Sequence, residues 1–303
     1  MKILVTGGAG FIGSHLVERL ASQCQEVIVI DDLSRGRIEN LSCCLSSIRL
    51  VRAGICERES LADAMGGVSV VYHLAAEASV LRASSDLERC FETNVVGTYE
   101  VLRAARIAGV RRVVFASSRE VYGEPAVLPV SEDAPLQAKN PYGASKVTGE
   151  LWCEIFGADL ETVILRLSNV YGPRDRDRVI PAFLELCASN SPILLFGGDQ
   201  VLDLVWIHSV VDAMVAAGTG PKINGPMNIG SGTGVSIVEL AREIIARTGS
   251  ASEIKIEPPR SIETVRFVAN IDRATRTLGF PFLGGLAGLS QMLPAPLGLA
   301  ATP

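Results

Sequence analysis

The chain has 303 residues, 48% of them hydrophobic and 20% charged, with a formal net charge of −5. That length buries a full α/β core with material left for a smaller second lobe, and the composition is that of an ordinary globular protein. The acidic balance excludes non-specific nucleic-acid binding, which needs a basic face to displace counterions. No apolar run approaches the roughly 18 residues of a membrane span.

In chain order, the sequence opens MKILVTGG, a strand and a turn that leave no room for a signal peptide. The strand Lys2–Thr6 runs into Thr6-Gly7-Gly8-Ala9-Gly10-Phe11-Ile12-Gly13. Gly7, Gly10 and Gly13 satisfy G-x-x-G-x-x-G, and Gly8, Gly10 and Gly13 satisfy G-x-G-x-x-G. A helix follows, with Ile12, Leu16 and Leu20 on one face. Glycines suit a tight turn whose backbone a pyrophosphate approaches closely, and the helix N-terminus offers unpaired N–H groups and partial positive charge. The second strand, Glu26–Asp31, ends in Asp31, 18 residues after Gly13. A carboxylate there accepts from both ribose hydroxyls and repels a 2′-phosphate, which selects NAD over NADP. Phe11, Ile12 and Asp32 complete the expected cofactor contacts, although Asp32 also reads as a solvated neighbour or a cap.

Further strand-like runs follow at Ile48–Val51, Val68–His73, Arg112–Ala116 and Thr162–Arg166, with helical stretches between them. Strands alternating with helices predict right-handed crossovers and a doubly wound parallel sheet, a Rossmann fold, over about residues 1–165. Ser117 and Ser118 close the fifth strand, at the carboxyl edge where such sheets place ligands. Asn140 and Pro141 then suit the N-cap and first position of a helix. This puts Tyr142 and Lys146 at i and i+4 on one face. An ammonium and the positive nicotinamide ring both favour the phenolate, which makes tyrosine a usable general base.

From about residue 166 the pattern loosens into Gly-, Pro- and Asp-rich loops with helices at Val179–Ala188 and Ser236–Arg247, the latter opened by a Ser236/Glu239 capping box. This half reads as a smaller substrate-binding lobe, residues 166–303, with chain exchange between the lobes. The segment from about Phe280 carries no charge and no helical period, so irregular structure is expected. The seven cysteines, at 24, 43, 44, 56, 90, 153 and 187, are odd in number and form no C-x-x-C. They read as reduced structural thiols of a cytoplasmic protein, not as disulfides or a metal site.

Taken in order, TGGAGFIG, HLAA at 73–76, Asn94 in ETNVVGT, SSREVYG at 117–123, PYGASK at 141–146, RLSNVYGPR at 166–174 and NIGSG at 228–232 resemble the extended short-chain dehydrogenase/reductases. Within that family the likeness is to nucleotide-sugar epimerases and dehydratases, and it covers about residues 1–280. The resemblance implies an NAD enzyme acting on a nucleotide-diphosphate sugar. Ser118 would hydrogen-bond the sugar 4-hydroxyl and Tyr142 take its proton, while Lys146 holds the nicotinamide ribose and lowers the tyrosine pKa. Asn169 and Arg260, with Arg174 or Arg266 assisting, would meet the diphosphate. Asn94 would support the helix of Tyr142. His73, Ala75 and Ala76 would line the cofactor, with a packed strand-end histidine an equal reading for His73.

Three departures stand out. The aspartate that usually approaches the adenine is Gly54 here, an Arg-Asp pair reads Leu202-Asp203, and the usual closing helix is missing. All members begin by removing hydride from the sugar C4, and a 4-epimerase needs little more. A dehydratase also needs a base and an acid, an Asp-Glu pair that here reads Arg119-Glu120. Glu120 could serve as base, but Arg119 donates no proton at neutral pH. Glu120 also reads as a salt-bridged turn carboxylate, and Arg119 as facing solvent. The expected activity is a nucleotide-sugar 4-epimerase. The alternatives are a dehydratase or decarboxylase using Glu120, or an NAD-binding sensor or scaffold that has lost turnover. Val147, Leu151 and Ile155 form an apolar stripe on the Tyr142 helix, with Gly149 allowing close approach of a second helix, so a homodimer is expected; packing on the chain's own sheet is the alternative.

Overall fold

A computed structural model describes residues 1–176, 178–259, 266–279 and 281–293. Chain order begins with β1 (Lys2–Thr6), α1 (Phe11–Ser22), β2 (Glu26–Ile30), β3 (Ile48–Val51), α2 (Arg58–Met65) and β4 (Val70–His73). Next come α3 (Val80–Ser85), α4 (Leu87–Phe91), α5 (Gly97–Ile107), β5 (Arg112–Ser118), α6 (Pro141–Phe156), β6 (Glu161–Leu167) and β7 (Asn169–Tyr171). The second half holds α7 (Val179–Ala188), β8 (Ile193–Phe196), β9 (Val201–Trp206), α8 (Ile207–Thr219) and β10 (Met227–Ile229). It ends with β11 (Gly234–Ser236), α9 (Ile237–Thr248), β12 (Ile254–Glu257) and α10 (Asp272–Leu278).

Among the described residues, seven strands form the main sheet in the order β10-β6-β5-β4-β1-β2-β3. All of its pairings are parallel. This is the doubly wound arrangement expected, and strand order reverses between β1 and β4, where such sheets open a ligand crevice. Alternating side chains feed two cores. Ile3, Val5, Val29 and Val114 pack with α1 and α8 on one face. Leu4, Ile28, Val71 and Phe115 pack on the other, in a core that α2, α5 and α6 complete. β5 is buried along its whole length, as a strand covered on both faces must be.

Met227–Ile229 was not expected as a strand. It returns from the second half to pair with β6, and α8 covers the sheet beside α1. Three residues are too few to show a period. Two small sheets, β11-β9-β7 and β12-β8, contribute residues to the same cavity that the carboxyl end of β5 borders. The Ser236/Glu239 capping box opens α9 as predicted. Among the described residues no helix is long and apolar enough to cross a membrane.

Helix α6 starts at Asn140, whose side chain accepts from the Gly143 N–H at 2.8 Å, with Pro141 in the first turn. Gly149 does not face a second helix, contrary to expectation. A Cβ there would lie 2.5 Å from the Phe115 ring, so the glycine lets α6 settle on β5. One residue on, Glu150 meets Arg166 of β6 through contacts of 2.7–3.2 Å, and both side chains are almost wholly buried. Ser117 donates to the same carboxylate. Arg166 also donates to the Tyr122 hydroxyl and the Glu132 carbonyl, both at 2.8 Å, and Tyr122 donates to Asn228 of β10 at 2.7 Å. Glu150→Ala leaves a buried guanidinium without its counter-ion and is expected to cost roughly 3–5 kcal/mol. Urea denaturation measures this, and a loss below about 1 kcal/mol would refute the assignment.

Candidate active site

The three glycines of the first turn have different reasons to be glycine. Gly7 has φ +69°, and a Cβ there would lie 2.7 Å from the Ala75 N–H nitrogen, so the turns after β1 and β4 touch. A Cβ at Gly13 would collide with the Gly7 carbonyl. At Gly10 the only atom within contact range is the Gly7 oxygen at 3.2 Å, and the residue opens on a large cavity. Gly10 is also the N-cap of α1 and supplies no side chain, which leaves the first-turn N–H groups at Phe11, Ile12 and Gly13 for an anion. Asp31 stands beside this turn. It accepts from Ala9 N and Leu33 N, each at 2.9 Å, which pull its pKa down while burial pushes it up further. Asp32 is exposed and accepts from the backbone and hydroxyl of Ser34. Ala75 and Ala76 line the same cavity, which measures about 1120 Å³. The residues present therefore fit a dinucleotide.

His73 is not among the residues that border this cavity. It is buried, and its tautomer follows from its neighbours. Thr6 accepts from Leu74 N and Ala75 N, so its hydroxyl donates to His73 Nδ1 at 2.8 Å. His73 Nε2–H then donates to Thr98 at 3.0 Å, and Thr98 donates to the Asn94 carbonyl at 2.6 Å. Asn94 sits in a π-helical turn, where it binds both backbone groups of Glu77 and donates to Ser145 of α6 at 2.9 Å. It thus supports the helix of Tyr142.

Ser118, Tyr142 and Lys146 meet across β5 and α6 at the cavity wall. Burial drives the Tyr142 pKa up to about 12, while a hydrogen bond from Ser118 and the charge of Arg178 pull it down. Lys146 is held by burial at about 8 and donates to Ala116 O at 2.8 Å, with its Nζ 5.8 Å from the Tyr142 ring centre. Without cofactor the phenol is therefore neutral at pH 7 and the lysine mostly charged. Ser117 borders the cavity, but its hydroxyl is turned to Glu150.

Arg119 does not face solvent. Its side chain is 13% exposed, paired with Glu120 at 2.9 Å and placed near the Phe267 ring. Glu120 also accepts from the Asn140 cap at 2.7 Å, so it is a bonded carboxylate bordering the cavity. Asn169 donates to the Asp203 carbonyl at 3.3 Å. Arg174 has φ +70°, which turns its guanidinium to Glu18 at 2.8 Å and Ser14 at 3.3 Å of α1. Arg178, not singled out in the sequence, lies over the Phe11 ring at 5.1 Å and is braced by Asp175. Only the run of cations in GPRDRDR hinted at it. Arg260 lies outside the described residues.

Fold and site together define a dinucleotide-binding α/β protein with a hydroxyl, a phenol and an ammonium gathered at the carboxyl edge of its sheet. The chain belongs to the NAD dependent epimerase/dehydratase family, whose model matches residues 3–230, and its cofactor is NAD. It is 39% identical to a UDP-glucose 4-epimerase of Mycolicibacterium smegmatis over 92% of this chain and 93% of that protein. It is 34% identical to a UDP-N-acetyl-alpha-D-glucosaminuronate decarboxylase of Bacillus cytotoxicus over 84% and 82%. The crystal structure of a Thermotoga maritima UDP-glucose 4-epimerase with UDP-glucose superposes with a TM-score of 0.90 at 33% identity, covering 95% and 96%.

The histidine network makes a pH prediction. Burial lowers the His73 pKa from 6.5 to about 3. The unfolded chain therefore binds this proton first, and the associated stability, full above about pH 6.5, is lost as pH falls towards 3. Nitrogen-15 NMR should show His73 as the neutral Nε2–H tautomer down to pH 5. A titration midpoint near 6.5 would contradict it.

Proposed function

We propose that the protein is an NAD-dependent nucleotide-sugar 4-epimerase working through a transient 4-keto sugar. The gathering of Ser118, Tyr142 and Lys146 on the wall of the same cavity that the glycine turn borders carries this reading. When bound, NAD supplies the oxidant for the sugar C4 and, in the same visit, the reductant that restores it. Gly7, Gly10, Gly13, Phe11 and Ile12 seat its pyrophosphate, Asp31 takes the adenosine ribose, and Asp32, Ala75, Ala76 and Ser117 complete its walls. Ser118 holds the 4-hydroxyl. Tyr142 removes the hydroxyl proton as C4 is oxidised and returns it when the turned sugar is reduced on its other face. Lys146 binds the nicotinamide ribose and keeps positive charge near the phenol, which, with the positive nicotinamide ring, brings a neutral tyrosine within reach of base chemistry. Leu194, Phe196 and Phe183 make an apolar outer end suited to a flat base. Asn169 and Arg178 meet the diphosphate, joined by Arg260 and, on its free face, Arg174.

A dehydratase or decarboxylase is the second reading, because Glu120 borders the cavity. Arg119 disfavours the dehydratase, because it cannot release a proton to expel the C6 hydroxyl, and in either reaction Glu120 is already bonded to Arg119 and Asn140. Incubation with UDP-, GDP- and dTDP-sugars in heavy water, followed by NMR, tests the choice. Inversion at C4 without deuterium at C5 or C6 is expected; deuterium at C5 with loss of the C6 hydroxyl would replace the epimerase by a dehydratase. In the same assay Tyr142→Phe should lower turnover by about 10² or more in a folded protein.

The homodimer is proposed on the outer face of α6. Leu151 and Ile155 are 52% and 65% exposed, while Val147 turns inward to a small cluster around Tyr122. Leu87 and Phe91 of the adjoining α4 are also exposed. Light scattering should report a dimer at micromolar concentration, and a monomer for Leu151→Glu/Ile155→Glu. A monomeric unaltered protein would end this proposal. The free thiols support a cytoplasmic location.

A further inference from the structure

Of the chain's five lysines, Lys2, Lys139, Lys146, Lys222 and Lys255, only Lys146 is buried. An ammonium taken out of water needs negative potential close by, or it gives up its proton. One of its three N–H groups donates to Ala116 O at 2.8 Å. A carbonyl accepts from a neutral amine as well, so this contact fixes the place of Nζ more than its charge. The ionisable groups that face Lys146 are Tyr142, Glu150 and Cys153 of α6, Cys90 of α4 and His73 of β4. Burial holds the tyrosine and both thiols protonated, and His73 neutral. Of these groups Glu150 alone carries negative charge, and Arg166 and Ser117 already engage it.

A ring supplies further negative potential. Lys146 Nζ lies over Phe115 of β5, 4.8 Å from the ring centroid, closer than its 5.8 Å to the Tyr142 ring. The face of a benzene ring carries the negative part of its quadrupole, and a cation is drawn to it most strongly where water is excluded. Phe115 is fully buried. Its place follows from α6. Lys146 and Gly149 are i and i+3, and so share the face laid on β5. A Cβ at position 149 would lie 2.5 Å from Phe115 Cζ, so the missing side chain lets the ring stand where it does beneath the ammonium. The neighbouring His73 ring, 5.6 Å away between centroids, brings no charge of its own.

We propose that Phe115 is a positioning residue of the catalytic centre, whose ring face keeps the Lys146 ammonium charged beside Tyr142. Phe115 is not among the residues that border the cavity, so it acts through the lysine. Its effect on turnover rests on the role proposed for Lys146; its effect on the titration of that lysine does not.

Lysine-selective nitrogen-15 NMR of the full chain follows the titration directly. Burial pulls the Lys146 pKa down to about 8, within easy reach. A cation–π contact away from water is worth about tenfold in proton affinity, so Phe115→Leu should lower the midpoint by about one pH unit. 3,5-Difluorophenylalanine at position 115 keeps the shape of the ring and weakens its face, and should lower the midpoint by a smaller step without loss of fold. Phe156→Leu, which removes another ring of the same core, should leave the midpoint in place. In the sugar assay the turnover of Phe115→Leu should fall about fivefold below the unaltered protein at pH 8 and recover by pH 6, where the lysine is charged in both. A deficit equal at the two pH values, an unchanged or raised midpoint in either Phe115 variant, or an equal shift in Phe156→Leu would overturn the proposal. Absence of turnover with every sugar would instead remove the epimerase reading and leave the titration to decide this one.

Discussion

The buried pair of Glu150 and Arg166 sits where four parts of the chain must agree. Glu150 belongs to the helix that carries Tyr142 and Lys146, and Arg166 to the strand beside β5. Ser117 of β5 donates to the carboxylate, and Tyr122 links the guanidinium to Asn228 on the strand that returns from the second half. Charges taken out of water at this depth are tolerated only when nearly every donor and acceptor is met. Two N–H groups and a hydroxyl satisfy Glu150, while Arg166 divides its donors among Glu150, Tyr122 and Glu132. The effect is to fix α6 against β5 in register. Ser118, the last residue of β5, then borders the same cavity as Tyr142 at the start of α6.

A second chain of hydrogen bonds does the same on the cofactor side. Thr6 ends β1 just before the glycine turn, and His73 ends β4 just before the Ala75 wall. Their bond passes through Thr98 to Asn94, and Asn94 reaches Ser145 on α6. The π-helical turn matters here, because its extra residue aims Asn94 at both Glu77 and Ser145. Glu77 in turn receives Arg35 from the loop beyond Asp31, at 3.2 Å. The cavity wall beside Asp31 and the helix of the phenol are thus joined through polar contacts with defined donors.

Much of this was legible in the sequence because it is local. The β1–glycine–α1 unit, the Asp31 strand end and the Asn140-Pro141 start of α6 each depend on residues within about one turn of each other. What escaped depends on partners far along the chain. Gly149 reads as a helix contact until Phe115 is found beneath it. Arg119 reads as exposed until Phe267, from near the end of the chain, is seen close to it. Arg174 and Arg178 are chemically alike in the sequence. A left-handed backbone at Arg174 turns one to α1, and the other lies over Phe11. The strand Met227–Ile229 is too short to announce itself, and its identity comes from pairing with β6.

The Leu202-Asp203 pair shows how a site can lose one family residue without losing its frame. Neighbours on a strand point to opposite faces, so the two positions have separate duties. Leu202 lines the cavity. Asp203 is fully buried and accepts from Ser231 N at 2.7 Å, Ser231 Oγ at 2.8 Å, Gly232 N at 3.2 Å and Ala269 N at 3.0 Å. Burial raises the Asp203 pKa, these donors oppose that rise in part, and they tie the NIGSG loop to β9. Leucine at position 202 places no cation on the cavity wall and leaves this hub intact. On the proposed function, the diphosphate charge must then be met from another wall. Arg178 is suited to that role because it is anchored on Phe11 and braced by Asp175 before any ligand arrives. Burial still raises the Tyr142 pKa, but the Arg178 charge opposes that rise, and both residues border the one cavity.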